Sequence, residues 1–378
     1  MAYKVISADS HVDLGYLPRD LFTSQAPGRF EGRMPHVEER DGTNQWWADG
    51  IYLEDVGHFS KVETYNPGMK TRVARMAESG FLEDSARGDY HPTNIELRLR
   101  DQDLDGVDAE VIYGMFAVAG KVQDQELVAA VYRIYNDWII DFTKQNPERL
   151  VGLACLPNHA PEAAAAEIRR TAKLGLRGCE FGTATAVTPI YYSDWDVMWQ
   201  ALDDCNMSIS FHTTGLSPRS PRPQDREKYM LTHRVINMVV FQLSGAEVLS
   251  SVVLSGACER FPNFKFILGE SGVTWIPYVL DRMDHEDEGD ENLSIKPSDY
   301  WRRQGYSTFQ KEAFAGDMID LIGVDNVMWG SDYPHPDGVW PDSQETIASN
   351  LKGLKDETKR LKIIRDTVAQ LYGFGNGG

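Results

Sequence analysis

Tyr3-Lys4-Val5-Ile6-Ser7-Ala8-Asp9-Ser10-His11-Val12 is the stretch whose reading decides the fold. An apolar run closing on an aspartate and a histidine two residues apart reads as a β-strand whose carboxyl end carries ligand-type side chains. Extended chain has a period of two, so both side chains turn to the same face, where together they can grip one metal ion. An Asp-x-His triplet also arises by chance, so its meaning depends on what the other strands end on.

Working outward, short apolar runs alternate with longer segments of helical period from about residue 94 onward, the pattern of repeated β-α units around a parallel sheet. Tyr3–Asp9 is the first predicted strand, followed by Ala109–Gly114, Leu150–Leu156, Leu176–Phe181, Ser208–His212, Phe264–Glu270, Gln304–Phe309 and Asn326–Asp332. Predicted helices between them include Asp124–Lys144, Pro161–Lys173, Asp194–Asp204 and Arg234–Arg260. A final helix from Asp356 to Tyr372 leads into the tail at 356–378. Eight such units make an α/β fold of the (β/α)8 TIM barrel type, and the 378 residues fit one barrel domain, 1–378, carrying an insertion after strand one. That insertion, residues 13–93, is rich in glycine, proline and charge and shows little periodicity. It carries Trp46, Trp47, Tyr52, Phe59, Tyr65 and Phe81. A loop leaving the carboxyl end of a barrel strand lies on the active-site face, so the insertion is expected to act as a lid or a dimer arm, or else to pack on the barrel flank.

Composition narrows the function. The formal net charge of −19 repels phosphate backbones and anionic lipid, which argues against nucleic-acid partners. Cys155, Cys179, Cys205 and Cys258 are widely spaced with no C-x-x-C pair, so they are expected to be reduced thiols. No stretch reads as approaching the roughly 20 apolar residues of a membrane span, and the N-terminus is too short in apolar length for a signal peptide. A cytoplasmic enzyme acting on a small molecule, with no membrane partner, is the expectation.

The chemistry sits at the strand ends. Besides Asp9 and His11, strand five ends in Phe211-His212-Thr213, strand six in Gly269-Glu270-Ser271-Gly272 and strand eight in Ser331-Asp332-Tyr333-Pro334-His335. The carboxyl ends of barrel strands converge on one rim, where three or four imidazoles and carboxylates suit zinc, manganese or iron. Trp46, Trp47 and Trp340 are candidate substrate contacts, and Arg219 and Arg222 could take a substrate carboxylate in bidentate fashion.

Three segments carry a family resemblance: Ser7-Ala8-Asp9-Ser10-His11-Val12, Glu259-Arg260-Phe261-Pro262 leading to Leu268-Gly269-Glu270-Ser271-Gly272, and Met328-Trp329-Gly330-Ser331-Asp332-Tyr333-Pro334-His335. Across nearly its whole length the chain resembles the amidohydrolase-related family that includes aminocarboxymuconate semialdehyde decarboxylase and gamma-resorcylate decarboxylase. The resemblance implies a divalent metal on Asp9, His11, His212 and Asp332, zinc ahead of manganese or iron, with Asp332 also handling protons. It implies a histidine where this chain has Glu270, a departure that weakens transfer of the decarboxylase activity. Glu270 could instead accept a proton or ligate, and Glu180 stands where some superfamily members bridge a second metal. Relatives are often dimers, which suggests a homodimer.

The leading expectation is hydrolysis of a small amide, ester or lactone-like substrate. Metal binding lowers the pKa of water from 15.7 towards about 7, and Asp332, Glu270 and His335 would carry the protons. The alternatives at the same site are non-oxidative decarboxylation of a hydroxylated aromatic or unsaturated acid, and non-haem iron oxygenation. A non-catalytic scaffold is disfavoured, because it has no need of ligand-type residues at four strand ends.

Overall fold

The computed structural model describes residues 3–57, 67–115, 118–212, 220–287 and 293–375. Strand β1 (Ile6–His11) is buried at every position. The insertion then builds its own antiparallel sheet from β2 (His36–Arg40), β3 (Thr43–Ala48) and β4 (Ile51–Asp55). The barrel strands follow: β5 (Ala109–Tyr113), β6 (Leu150–Gly152), β7 (Ala154–Cys155), β8 (Gly178–Glu180), β9 (Ser208–His212), β10 (Lys265–Gly269), β11 (Gly305–Phe309) and β12 (Val327–Trp329).

The parallel strands form two arcs, β1-β5-β6 and β12-β11-β10-β9-β8-β7. Two seams draw the arcs together. At one, the chain passes directly from β6 to β7 through Leu153, whose N–H donates to the Ile112 carbonyl, so the predicted third strand is one strand broken at its middle. At the other, β1 bonds to the segment just after β12: Asp332 N–H donates to Asp9 O at 2.9 Å, and His11 N–H donates to Tyr333 O at 2.6 Å. Counting β6 and β7 as one, eight strand positions result, in the predicted order. Ile6, Ala8, Ala109, Val111, Leu153, Ile267 and Met328 form a separate cluster lining the barrel interior, joined by Val368 and Tyr372 from the C-terminal helix. The larger core packs the opposite strand faces against the helices. The helix Pro161–Lys173 matches its predicted bounds. The long helix expected at Arg234–Arg260 is instead Arg226–Val240, a tight turn, Ser244–Leu254 and Ala257–Arg260.

Two features of the sequence reading need correction. The insertion is not irregular. Asp41-Gly42 and Asp49-Gly50 occupy the left-handed region, with φ of 52° and 74° and of 52° and 75°, which is the two-residue hairpin turn that Asp-Gly favours. Helices Pro67–Glu78 and Phe81–Arg87 complete it, while Phe59 and Tyr65 lie outside the described residues. The second correction concerns apolar length, since the helical stretch Pro223–Leu254 is long and apolar enough by length and composition to cross a membrane. It links β9 and β10, which pair in parallel from Ser208 and Lys265 to His212 and Gly269, and a crossing would pull those strands apart. All four cysteines are free, as expected.

Candidate metal centre

The site begins with an irregularity in β1. Ile6 pairs with Ala109 and Ser7 with Glu110, but the next pairs are Ser10 with Ile112 and His11 with Tyr113, so β1 holds one residue more than its partner. Ile6 and Ala8 face the barrel interior, and strict alternation from them would turn residues 9 and 11 outward. The extra residue flips the parity. His11 thus joins Tyr113 inside, with ring centroids 5.6 Å apart, while Ser10 turns outward and accepts a hydrogen bond from Arg98 Nη2 at 3.0 Å. In β9 the alternation is unbroken, carrying Ser210 and His212 to the same side. Close approach also requires Gly330, where an added Cβ would stand 2.4 Å from Asp9 Cβ.

The predicted ligands converge. His11 Nε2 lies 3.3 Å from Asp9 Oδ1 and 3.2 Å from Asp332 Oδ1, and His212 Nε2 lies 3.8 Å from Asp9 Oδ1. Two candidate ligand groups share His11: Asp9, His11 and His212, and His11, Asp332 and His335. Asp9 Oδ1, His11 Nε2 and Asp332 Oδ2 are buried yet make no hydrogen bond. Buried polar atoms left in this condition are costly unless something satisfies them, and an imidazole nitrogen and a carboxylate oxygen 3.3 Å apart, with a second carboxylate beside them, fit a divalent cation. The other Asp9 oxygen is already held, accepting from Thr308 Oγ1 at 2.9 Å and Glu270 N–H at 3.1 Å. Its partners therefore leave Oδ1 as the ligating atom.

Electrostatics follow from this crowding. Burial works against the charged form of Asp9, but contacts with His11 and His212 outweigh it and hold the carboxyl well below the usual range. Asp332 is likewise lowered, by His335 and His11 against its burial. Burial and the His335 charge lower His11, yet Asp332 and Asp9 bring it to about 9. His335 is bound on both ring nitrogens, Nδ1 to Asp332 Oδ1 at 2.8 Å and Nε2 to Asp13 Oδ2 at 3.0 Å, and stacks on His11 at 4.2 Å. Those two carboxylates hold it well above its ordinary value in spite of burial. Glu270 differs in direction, because burial and then Asp332, Asp337 and Asp9 push its carboxyl well up. Its Oε2 is 3.5 Å from His212 Nε2, and with Asp332 and Asp337 it forms a third close group.

Other candidates are placed elsewhere. Glu180 accepts from Gly114 N–H and Cys155 Sγ, both at 2.9 Å, deep between strands, and burial pushes it up to about 7. It joins no ligand group among the described residues. Trp46 is fully buried and packs with Phe22 at 6.1 Å, which removes it from the substrate contacts. Trp47 is half-buried under Arg40, 3.7 Å from ring centroid to guanidinium, and beside Tyr52. Trp340 is also buried, in a cluster with Tyr16, Phe81 and Tyr333 that fastens the insertion to the loop carrying His335, so it too packs the loop. Arg222 is exposed and pairs with Asp225 at 2.6 Å within its own turn, the geometry of a surface arginine. Arg219 lies outside the described residues.

Sequence reasoning missed Asp13, Thr308 and Arg98. Asp13 continues the spacing 9, 11, 13 and so carried a signal, whereas Thr308 and Arg98 carried none. Arg98 is fully buried, paired with Glu110 Oε1 at 2.5 Å and donating to the His11 carbonyl at 3.0 Å.

Comparison with known proteins fits this geometry. The amidohydrolase family profile matches residues 58–374. The chain belongs to the amidohydrolase family. Gamma-resorcylate decarboxylase of Polaromonas sp. (strain JS666 / ATCC BAA-500) is 24% identical over 303 residues, covering 75% of this chain and 87% of that one. 2-Amino-3-carboxymuconate-6-semialdehyde decarboxylase of Dictyostelium discoideum is 24% identical over 274 residues, 70% of this chain and 72% of that one. A crystal structure of a dihydroxybenzoic acid decarboxylase from Polaromonas sp. JS666, with bound manganese and the inhibitor 2-nitroresorcinol, superposes with a TM-score of 0.61 at 23% identity, over 79% of this chain and 92% of that one. The family resemblance and the barrel fold are thus established. Hydrolysis by metal-activated water, the leading expectation, is overturned: these relatives are decarboxylases, and the second expectation fits better.

Proposed function

We propose that this amidohydrolase-family enzyme is a metal-dependent, non-oxidative decarboxylase of a small hydroxylated aromatic or unsaturated carboxylic acid. The observation that carries the reading is the convergence of Asp9, His11, His212 and Asp332 on one rim in a chain whose relatives decarboxylate, with Glu270 beside them in place of the histidine that the resemblance implies. Loss of carbon dioxide from such an acid requires a proton at the carbon that carries the carboxylate. A C–H bond forms there, the C–C bond to the carboxylate breaks, and its electron pair stays with the ring. A divalent ion, when bound, supplies positive charge for the substrate carboxylate and the adjoining oxygen. Asp9, His11, His212 and Asp332 would hold it.

The protein's own groups do the rest. Glu270, a buried carboxyl on the rim 3.5 Å from His212, is placed to give up the proton. His335, anchored at both ring nitrogens by Asp332 and Asp13, fixes Asp332 and offsets the negative charge around it. The ion we propose is manganese rather than the zinc expected from the sequence. Carboxylates make up half the ligand set, which suits the harder ion, and the manganese-bound relative is in keeping with it.

The test is to incubate chelator-stripped, manganese-reloaded enzyme with a panel of hydroxybenzoic acids in D2O. Carbon dioxide release with one deuterium at the vacated carbon is expected. Turnover that instead places oxygen from labelled water in the product, or that consumes molecular oxygen, would overturn the proposal.

A further inference from the structure

Beside His212 the rim opens into a cavity of about 390 Å³, walled on one side by residues 183–191, in the loop after β8, and on the other by the first turns of the helix Ser244–Leu254. Both walls are fixed. Asn158 is buried; its amide donates to the Gly182 carbonyl and to Thr185 Oγ1, both at 2.7 Å, and its carbonyl accepts from Val187 N–H at 2.9 Å. The helix leans on the loop that carries Glu270, where an added Cβ at Gly245 would stand 3.0 Å from Ser271 Cβ and 3.0 Å from Trp275 Cζ2. The cavity lining is largely apolar, with Val187, Pro189, Ile190, Phe211 and Val248. Among the described residues that line it there is no lysine or arginine, and the one charged side chain besides the ligand His212 is Glu247, which is exposed.

We propose that this cavity takes the part of the substrate remote from the departing carboxylate, and that this part is neutral and apolar. The substrate is then a single-ring monocarboxylic acid with a short alkyl or alkoxy group opposite its carboxylate, not a diacid. The inference rests on the decarboxylase reading, which puts the departing carboxylate at the ligand cluster, so that ring and substituent extend past His212. The cavity volume of about 390 Å³ lies near the lower end of the range of about 300–1,000 Å³ usual for small-molecule pockets, which suits one ring and a short substituent. A second carboxylate there would lose hydration among apolar side chains, beside Glu247 and with no described cation to offset the loss. The helix supplies no positive charge through its dipole either. Leu243, ahead of its first residue, is itself helical, with φ of −68° and ψ of −11°, so no open N-terminus faces the cavity.

Nitrophenols test this on the manganese-loaded enzyme, because a nitro group stands in for the carboxylate and cannot leave as carbon dioxide. In calorimetric titration 5-ethyl-2-nitrophenol, whose ethyl group lies opposite the nitro group, should bind about 10-fold or more tighter than 2-nitrophenol, the usual worth of an added methylene in an apolar pocket. A carboxylate in the same place, in 3-hydroxy-4-nitrobenzoic acid, should bind more weakly than either. Val248→Trp fills the cavity and should abolish the ethyl advantage. Glu247→Lys, at an exposed position, should bring the carboxylate probe level with 2-nitrophenol, and it decides the matter if the tryptophan variant misfolds. An ethyl group without advantage, a carboxylate probe as tight as the ethyl one, no binding of any of the three, or folded variants that keep the wild-type order would overturn the proposal. Carbon dioxide released from hydroxybenzoic acids without an ethyl preference would keep the reaction and remove the pocket. Ethyl preference without carbon dioxide release would keep the pocket and remove the reaction.

Discussion

Replacing Arg98 by methionine tests how the metal centre is held from behind. The guanidinium is fully buried and serves four partners: Glu110 Oε1 at 2.5 Å, the His11 carbonyl at 3.0 Å, the Pro92 carbonyl at 2.8 Å and Ser10 Oγ at 3.0 Å. Methionine fills the space but leaves the Glu110 carboxylate, 2% exposed, without its counter-charge, and removing one partner of a buried pair costs about 3–5 kcal/mol. At about 2.1 cal/mol/K of unfolding entropy per residue, 378 residues correspond to about 0.8 kcal/mol per degree, so a loss of about 4 kcal/mol lowers Tm by about 5 °C. The double variant Arg98→Met/Glu110→Met removes both charges and should recover most of that loss, because two well-packed apolar groups can replace a buried pair at little net cost. Differential scanning calorimetry reads both. Metal titration should show a separate effect on the site: the bonds to the His11 carbonyl and to Ser10 fix the strand end that carries Asp9 and His11, and loss of such outer supports weakens metal binding by about 10–100-fold. A single variant within 1 °C of wild type, or a double variant no more stable than the single, would refute the reasoning.

Two further outcomes follow from burial and close approach. Asp105 accepts from Ser343 N–H at 2.9 Å and burial pushes it up to about 7. Its unfolded value is about 3.9, so the folded state carries a penalty that is fully developed above pH 7 and relieved as pH falls towards 4; Asp105→Asn should raise Tm at pH 8 by at most about 5 °C and flatten the profile between pH 4 and 7. Gly330→Ala should displace β1, since the new methyl would meet Asp9 Cβ at 2.4 Å; a loss of about 1–3 kcal/mol in calorimetry together with weakened manganese binding is expected.

The barrel was legible because its strands are buried on both faces and read as continuous apolar runs, and Ser208–His212 and Pro161–Lys173 agree to the residue with what the sequence predicts. The convergence of Asp9, His11, His212 and Asp332 was legible through topology, since every barrel strand delivers its last residues to one rim. For Asp9 and His11 the strand period supplies only half of the explanation. Counting by twos places them on one face, but only the extra residue in β1 makes that face the interior, and a bulge leaves no mark in composition. The insertion's sheet is signalled in the sequence by Asp41-Gly42 and Asp49-Gly50, although the surrounding charge masks the alternation of its strands. Trp46 and Trp340 illustrate the opposite limit. A tryptophan in a loop suits a pocket and a core equally well, and only the three-dimensional packing decides between them.

Glu270 brings these strands of argument to one residue. Its φ of 50° lies in the left-handed region, which costs an ordinary side chain roughly 1–2 kcal/mol, and its carboxyl is buried among Asp332, Asp337 and Asp9. Neither condition favours glutamate for stability. Asparagine adopts this backbone readily, and the bonds from residue 270 to Asp9 and Thr308 come from the main-chain N–H, so they survive the change. Glu270→Asn should therefore raise Tm by about 1 °C, taking about 1 kcal/mol of relieved strain at about 0.8 kcal/mol per degree. Carbon dioxide release should fall by about 10²–10⁴, the usual worth of a positioned proton donor. Strain kept at a site implies that the residue is held there for its chemistry. A variant that is less stable than wild type would show that the carboxylate is structural, and one that is more stable yet fully active would remove Glu270 from the proton's path.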